Sequence, residues 1–170
     1  MPFRFSFSGP SRPSAERVRA MPLDPLEDLE DYEYLAMRAC GVLAETDASF
    51  RIGGFGQDDW RFDLGYDMSA FMEELPHLVD ALRSGDEVEI DLYPQGVERG
   101  LTFLPAGADV RVRCVSRTSW VPRPDIEIHS ADALLTMCAH LATDFATALE
   151  ATAPSLARLS PFNAWRLGRP

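Results

Sequence analysis

A chain of 170 residues with 46% hydrophobic content suits one compact domain, since at this length folding buries about 70% of the surface the unfolded chain exposes. The formal net charge of −11 disfavours nucleic acid and anionic membrane as partners, both of which demand a cationic face, and favours a basic protein partner. All sixteen basic residues are arginine, which excludes a Walker lysine, a Schiff-base lysine and any other lysine nucleophile.

The first twenty residues carry Arg4, Arg12, Arg17 and Arg19 against Glu16 alone, and read as a basic N-terminal extension (residues 1–20) ahead of a single α+β domain (residues 21–170). Phe3, Phe5 and Phe7 alternate with polar residues as a short strand would, so a place for this extension outside the core or within it stays open. The segment lacks the 7 to 15 residue apolar stretch of a secretory signal, and no run in the chain approaches the roughly 18 apolar residues of a membrane span. A soluble, cytoplasmic protein is expected. Six acids and no base then fall between Asp24 and Glu33. Within them "DPLE" sets an N-cap Asp24, Pro25 at the first helical position and Glu27 at the third, which predicts a helix start. The next stretch, "YEYLAMRACGVLAE", fits a helical stripe through Leu35, Ala39 and Leu43 but also alternates before Gly41; a strand is expected.

"ASFRI" and "DDWRFDLGY" alternate with period two, the second placing Trp60, Phe62, Leu64 and Tyr66 opposite Asp59, Arg61 and Asp63. Between them lie Gly53, Gly54 and Gly56. A phosphate cradle needs glycines leading into a helix N-terminus, whereas these lead into Asp58 and Asp59, so a hairpin turn or bulge is predicted. "YDMSAFMEELPHLVDALRSG" repeats apolar residues at helical spacing through Phe71, Leu75, Leu78 and Leu82, with Asp67 or Ser69 as caps at its start, Gly85 at its end and Pro76 expected to kink or split it. "EVEIDLY", "GLTFL" and "DVRVRCV" follow as an antiparallel meander, each apolar on one side and charged on the other. After the proline-interrupted "TSWVPRPDIEI", Ser130 caps a last long helix with the stripe Leu134, Cys138, Leu141, Phe145 and Leu149. The tail through Phe162 and Trp165 is expected to pack back on the core.

These elements combine as a two-layer α+β sandwich, a mainly antiparallel sheet of about five to six strands with two main helices on one face. The other face is left open, and the candidate partner-binding residues on it are Asp59, Asp63, Glu87, Glu89 and Asp91, with Arg61, Arg111 and Arg113 offsetting part of their charge. Such a surface steers a basic protein and raises its rate of association.

Signals for chemistry are sparse. Cys40, Cys114 and Cys138 are widely spaced with no C-x-x-C pair, which suits buried small hydrophobes. His129, Ser130 and Asp132 lie too close in sequence to converge as a triad, and no G-x-S-x-G is present. His140 and Asp144 share a helix face, but Cys138 points elsewhere, and Glu73 and Glu74 read as helix-exterior solubility residues. His77 reads as a surface histidine. No catalytic residue, metal ligand or cofactor is therefore assigned.

The order of "FRIGGFGQDDWRFDLGYDMSAFMEELPHLVDALRSG", "IDLYPQGVERGLTF" and "VRVRCVSRTSW" over roughly residues 33–150 resembles the small acidic proteins of GC-rich bacteria grouped with polymorphic-toxin immunity proteins. That resemblance implies a stoichiometric inhibitor of a cognate toxin domain, with no catalytic residues to transfer. Binding would come from the acidic face and one or two aromatic anchors. The alternatives are another regulatory interaction module, or a small-ligand binder or enzyme, which a deep pocket lined by histidine and carboxylates would mark.

Overall fold

The computed structural model describes all residues from 1 to 170. The alternating phenylalanines near the start do form a strand: β1 (Arg4–Ser8) pairs antiparallel with β2 (Ser49–Gly53), placing Phe5 opposite Ile52 and Phe7 opposite Phe50. Phe3, Phe5 and Phe7 are all buried in the main hydrophobic core. Residues 1–20 thus do not form an extension outside the core, because three rings whose burial is favourable by about 1.5–3 kcal/mol each anchor the segment. Helix α1 (Arg12–Arg19) follows, with Ser11 accepting from the Ser14 amide and Ala15 and Val18 turned inward.

The segment expected as a strand is instead α2 (Tyr32–Ala44). Asp31 caps it by accepting from the Tyr34 amide at 3.1 Å, and Leu35, Ala36, Ala39, Cys40 and Leu43 bury one face. Gly41 lies on the exposed side, where a Cβ would meet nothing within 4 Å; its helix cost of roughly 0.5–1 kcal/mol is offset by the buried stripe. The helix start expected at Asp24 does not form. The Arg38 guanidinium takes the carbonyls of Asp24 at 2.8 Å and Pro25 at 3.1 Å, which a helix would use internally.

After β2 the chain turns at Gly54–Gln57, whose amides and carbonyls bond reciprocally at 2.8 and 3.0 Å. Phe55 and Gly56 have φ of 55° and 86°, the pair of left-handed residues a tight hairpin turn requires. A Cβ on Gly54 would fall 2.5 Å from the Phe3 Cα, and one on Gly56 2.4 Å from the Arg123 carbonyl oxygen. The glycines serve close backbone approach, as the turn reading expects. The strand expected beyond them does not form: residues 58–66 are irregular, with Arg61 at φ 55°. Acidic side chains take the donors a ladder would use, Asp59 accepting from the Arg61 amide at 2.8 Å and Asp63 from the Tyr66 amide at 2.7 Å. Trp60 and Phe62 are buried nonetheless.

Helix α3 (Asp67–Ser84) runs as one element through Pro76 and ends at Gly85, φ 70°. Strands β3 (Val88–Leu92), β4 (Arg99–Ala106) and β5 (Asp109–Ser116) form the expected meander. A further strand, β6 (Ile126–Ser130), emerges from the proline-interrupted connection and pairs with β5. Helix α4 (Ala131–Thr152) is capped by Ser130 and buries its whole expected stripe. Two short helices, α5 (Pro154–Ala157) and α6 (Phe162–Trp165), return Leu156, Phe162 and Trp165 to the core.

The class is α+β as expected, but the six strands divide into two antiparallel sheets, β1-β2 and β3-β4-β5-β6. Glu127 on β6 joins them: its carboxylate accepts from the Phe3 amide and, at 2.6 Å, from the Phe55 amide. No helix is long and apolar enough to cross a membrane.

Candidate interaction surface

The larger sheet turns Ile90, Leu92, Leu101, Phe103, Val112 and Cys114 inward. Its outer face carries Glu89 and Asp91 on β3 and Arg111 and Arg113 on β5, as the alternation predicts, beside the exposed Val115, Ile126 and Ile128. Glu87 lies in the turn before β3. Asp91 is engaged by Arg117 at 2.5 Å. Asp59 and Asp63 do not share this face, because the segment that holds them never enters the sheet. The five expected carboxylates therefore do not make one surface.

Asp63 belongs to a different assembly. By accepting from the Tyr66 amide it fixes the turn that presents Tyr66, 54% exposed, to solvent. Tyr93, just past β3 and 47% exposed, meets the Tyr66 ring edge to face with centroids 6.2 Å apart. The Tyr93 hydroxyl donates to the Glu73 carboxylate at 3.1 Å, and Ser69 on the same helix donates at 3.2 Å. The Tyr93 ring is thus held by an acidic partner, and Tyr66, set by its backbone turn, meets it edge to face.

The charge around them is uncompensated. Glu33, Asp63, Asp67 and Glu73 take part in none of the ion pairs of the molecule. Burial raises the Glu73 carboxyl above its usual range, and the charges of Glu33 and Glu74 raise it further, against the hydrogen bonds from Tyr93 and Ser69. Asp67 is raised by burial and by the charge of Asp63. Tyr93 is pushed up to about 12, first by desolvation and then by Glu73. A cation placed here would relieve each of these costs, and each ring face attracts one as well.

Nucleophiles are less apparent. Burial pushes the thiols of Cys114 and Cys138 up to about 11 and 12 and that of Cys40 higher, so all three stay protonated at neutral pH. Ser130 is occupied as the α4 cap, while His129 is nearly buried, 3.4 Å from Glu127. A concavity of about 610 Å³ lies among α1, α2 and the α4–α5 joint, lined by Val18, Met21, Met37 and Val42 with Asp24 and Glu45 and no histidine.

The signal for Tyr93 is present in the sequence, since the alternation that puts Asp91 outward and Leu92 inward puts Tyr93 outward again. Tyr66 has no such signal, because the expected strand would have placed it beside Trp60. Glu73 reads as a solubility residue until Tyr93 is seen to reach it.

Fold and surface together define an α+β protein with an acidic and aromatic patch. Comparison with family models, with curated proteins and with solved structures finds no match to the chain.

Proposed function

We propose that the protein is a non-catalytic binding module for a basic protein, and that Tyr66, Tyr93 and the carboxylates of Glu73, Asp63, Asp67 and Glu33 form the centre of the contact. The observation that carries this reading is the half-exposed edge-to-face tyrosine pair, with the Tyr93 hydroxyl and the Tyr66 amide bonded to carboxylates that have no cation of their own. Tyrosine is enriched among residues that dominate binding energy, and an arginine or lysine set over such a ring gains about 0.5–2 kcal/mol beyond its ion pairing. In the form implied by the resemblance to immunity proteins, the partner is a toxin domain and the outcome is its neutralisation.

Calorimetric titration with an arginine-rich peptide, at low and high salt, tests the reading. Binding is expected to weaken as salt rises, to fall about tenfold in Tyr93→Ala and in Glu73→Gln, and to change little in Glu87→Gln. Equal affinity across all three variants would refute the assigned surface. For the immunity form, a toxic domain encoded by the adjacent upstream gene is expressed alone and with this chain. Wild type is expected to restore growth and the Tyr66→Ala/Tyr93→Ala double variant to fail.

A further inference from the structure

Arg99, the first residue of β4, is only 5% exposed. Its guanidinium carbon lies 4.3 Å from the Trp60 ring centroid and 3.8 Å from that of Trp120, and the two indoles, centroids 6.2 Å apart and planes inclined at 59°, flank the group on two adjacent sides. Nη2 donates to the Gln57 side-chain oxygen at 2.9 Å. Nε and Nη1 are buried without an acceptor, and no carboxylate pairs with the group. Desolvation lowers its pKa to about 10, which leaves it cationic at neutral pH. A buried charge without a counter-charge is destabilising even after relaxation, and two cation–π contacts offset only part of that cost.

The donor count narrows what would complete the group. A guanidinium presents two adjacent N–H pairs, one along its side from Nε and one Nη, the other at its end from both Nη atoms. Nη2 has one hydrogen on each of these edges. Whichever hydrogen Gln57 takes, one two-donor edge remains whole, which is the arrangement that receives a carboxylate or phosphate group through two parallel bonds.

The two indoles differ in how they are held. Trp60 is buried in the core, bounded by Phe3, Phe55 and Phe62. Trp120 is partly exposed on the irregular connection 117–125. That connection is tied at its ends, by the Arg117 amide to the Glu98 carbonyl at 2.9 Å and by the Arg123 amide to the Phe55 carbonyl at 2.8 Å. Between these ties the hydrogen bonds are local, Thr118 N to Ser116 Oγ and Trp120 N to Thr118 Oγ1. Trp120 packs against the edge of the core and is the more exposed of the two indoles that flank the guanidinium.

We propose that Arg99, flanked by Trp60 and Trp120, is a binding site for a small oxyanion bearing a carboxylate or phosphate group, entered by displacement of Trp120. The site is independent of the tyrosine patch and uses none of its residues.

Titration of the full chain with sodium phosphate and with sodium acetate, against sodium chloride at constant ionic strength and pH 7, tests the proposal through the fluorescence of the flanking tryptophans. A saturable change is expected with at least one of the two oxyanions and not with chloride. At ten times the dissociation constant the thermal midpoint should rise by about 3–6 °C. Arg99→Lys keeps the charge without the two-donor edge and should abolish the response. Because that variant disturbs a buried contact, Trp120→Ala supplies a second reading. With the cover removed, the chain should bind the same anion about threefold or more tightly, since no closed form competes. The absence of a saturable response in both wild type and Trp120→Ala, or an Arg99→Lys response equal to that of wild type, would overturn the site and leave Arg99 as a packing residue.

Discussion

Removal of residues 1–20, so that the chain begins at Met21, is expected to abolish the native fold. The deletion takes away β1, its five-residue pairing with β2, and Phe3, Phe5 and Phe7. Phe3 packs within about 6 Å of Phe5, Phe55, Trp60 and Phe103, Phe5 lies 4.9 Å from Phe71, and Phe7 lies 5.9 Å from Phe145. Emptying one such site costs roughly 3–5 kcal/mol, and three together cost roughly 9–15 kcal/mol, as much as the whole stability of an ordinary domain. The smaller perturbation Phe5→Ala should leave a folded protein whose thermal midpoint drops by about 6–20 °C, taking 2–4 °C per kcal/mol at this length. Circular dichroism with thermal and urea unfolding reads both. A 21–170 chain that unfolds cooperatively within about 5 °C of the full chain would refute the reasoning and return the segment to the status of an appendage.

Two further outcomes are expected. Glu73 has a folded-state pKa raised above its unfolded value, so its charged form destabilises the native state above the raised pKa and that cost disappears as pH falls towards the ordinary glutamate range; Glu73→Gln should therefore raise the thermal midpoint at pH 7 and give no gain near pH 4, and an equal gain at both would show that burial and charge are not the cause. Asp31→Ala removes the cap of α2 and should cost about 1 kcal/mol in urea unfolding, whereas Asp24→Ala, at the start signature that forms no helix, should cost less than half of that.

The parts of the fold legible in the sequence are those where one period dominates. The meander from Val88 to Ser116 and the helix from Ala131 to Thr152 each bury an uninterrupted stripe, and their ends follow the turn and cap residues. Where two periods compete the reading fails. Leu35, Ala39 and Leu43 satisfy a helix while their neighbours tolerate a strand, and the side chain of Asp31 decides the matter. From Asp58 to Tyr66 the alternation correctly foretells the burial of Trp60 and Phe62 but not the backbone, because aspartates bond their own chain and Arg61 adopts a left-handed conformation. The patch was half legible for the same reason: β3 aims Tyr93 outward by simple alternation, whereas Tyr66 and Asp63 meet it only through a turn that the local pattern misassigns.

The Glu127 carboxylate that joins the two sheets also dictates an order of events during synthesis. Its acceptors serve amides 124 and 72 residues earlier in the chain. At about 5–20 residues per second, Glu127 is added roughly 6–25 s after Phe3. β1 can meet β2 once Gly53 has emerged, but a pair of strands alone is marginal in water. Phe5 finds Phe71 early, but the Phe3 amide stays unpaired until β6 arrives, and Phe7 waits for Phe145 on α4. Contacts of such long sequence separation slow folding, since the loop between them must close before they give any return.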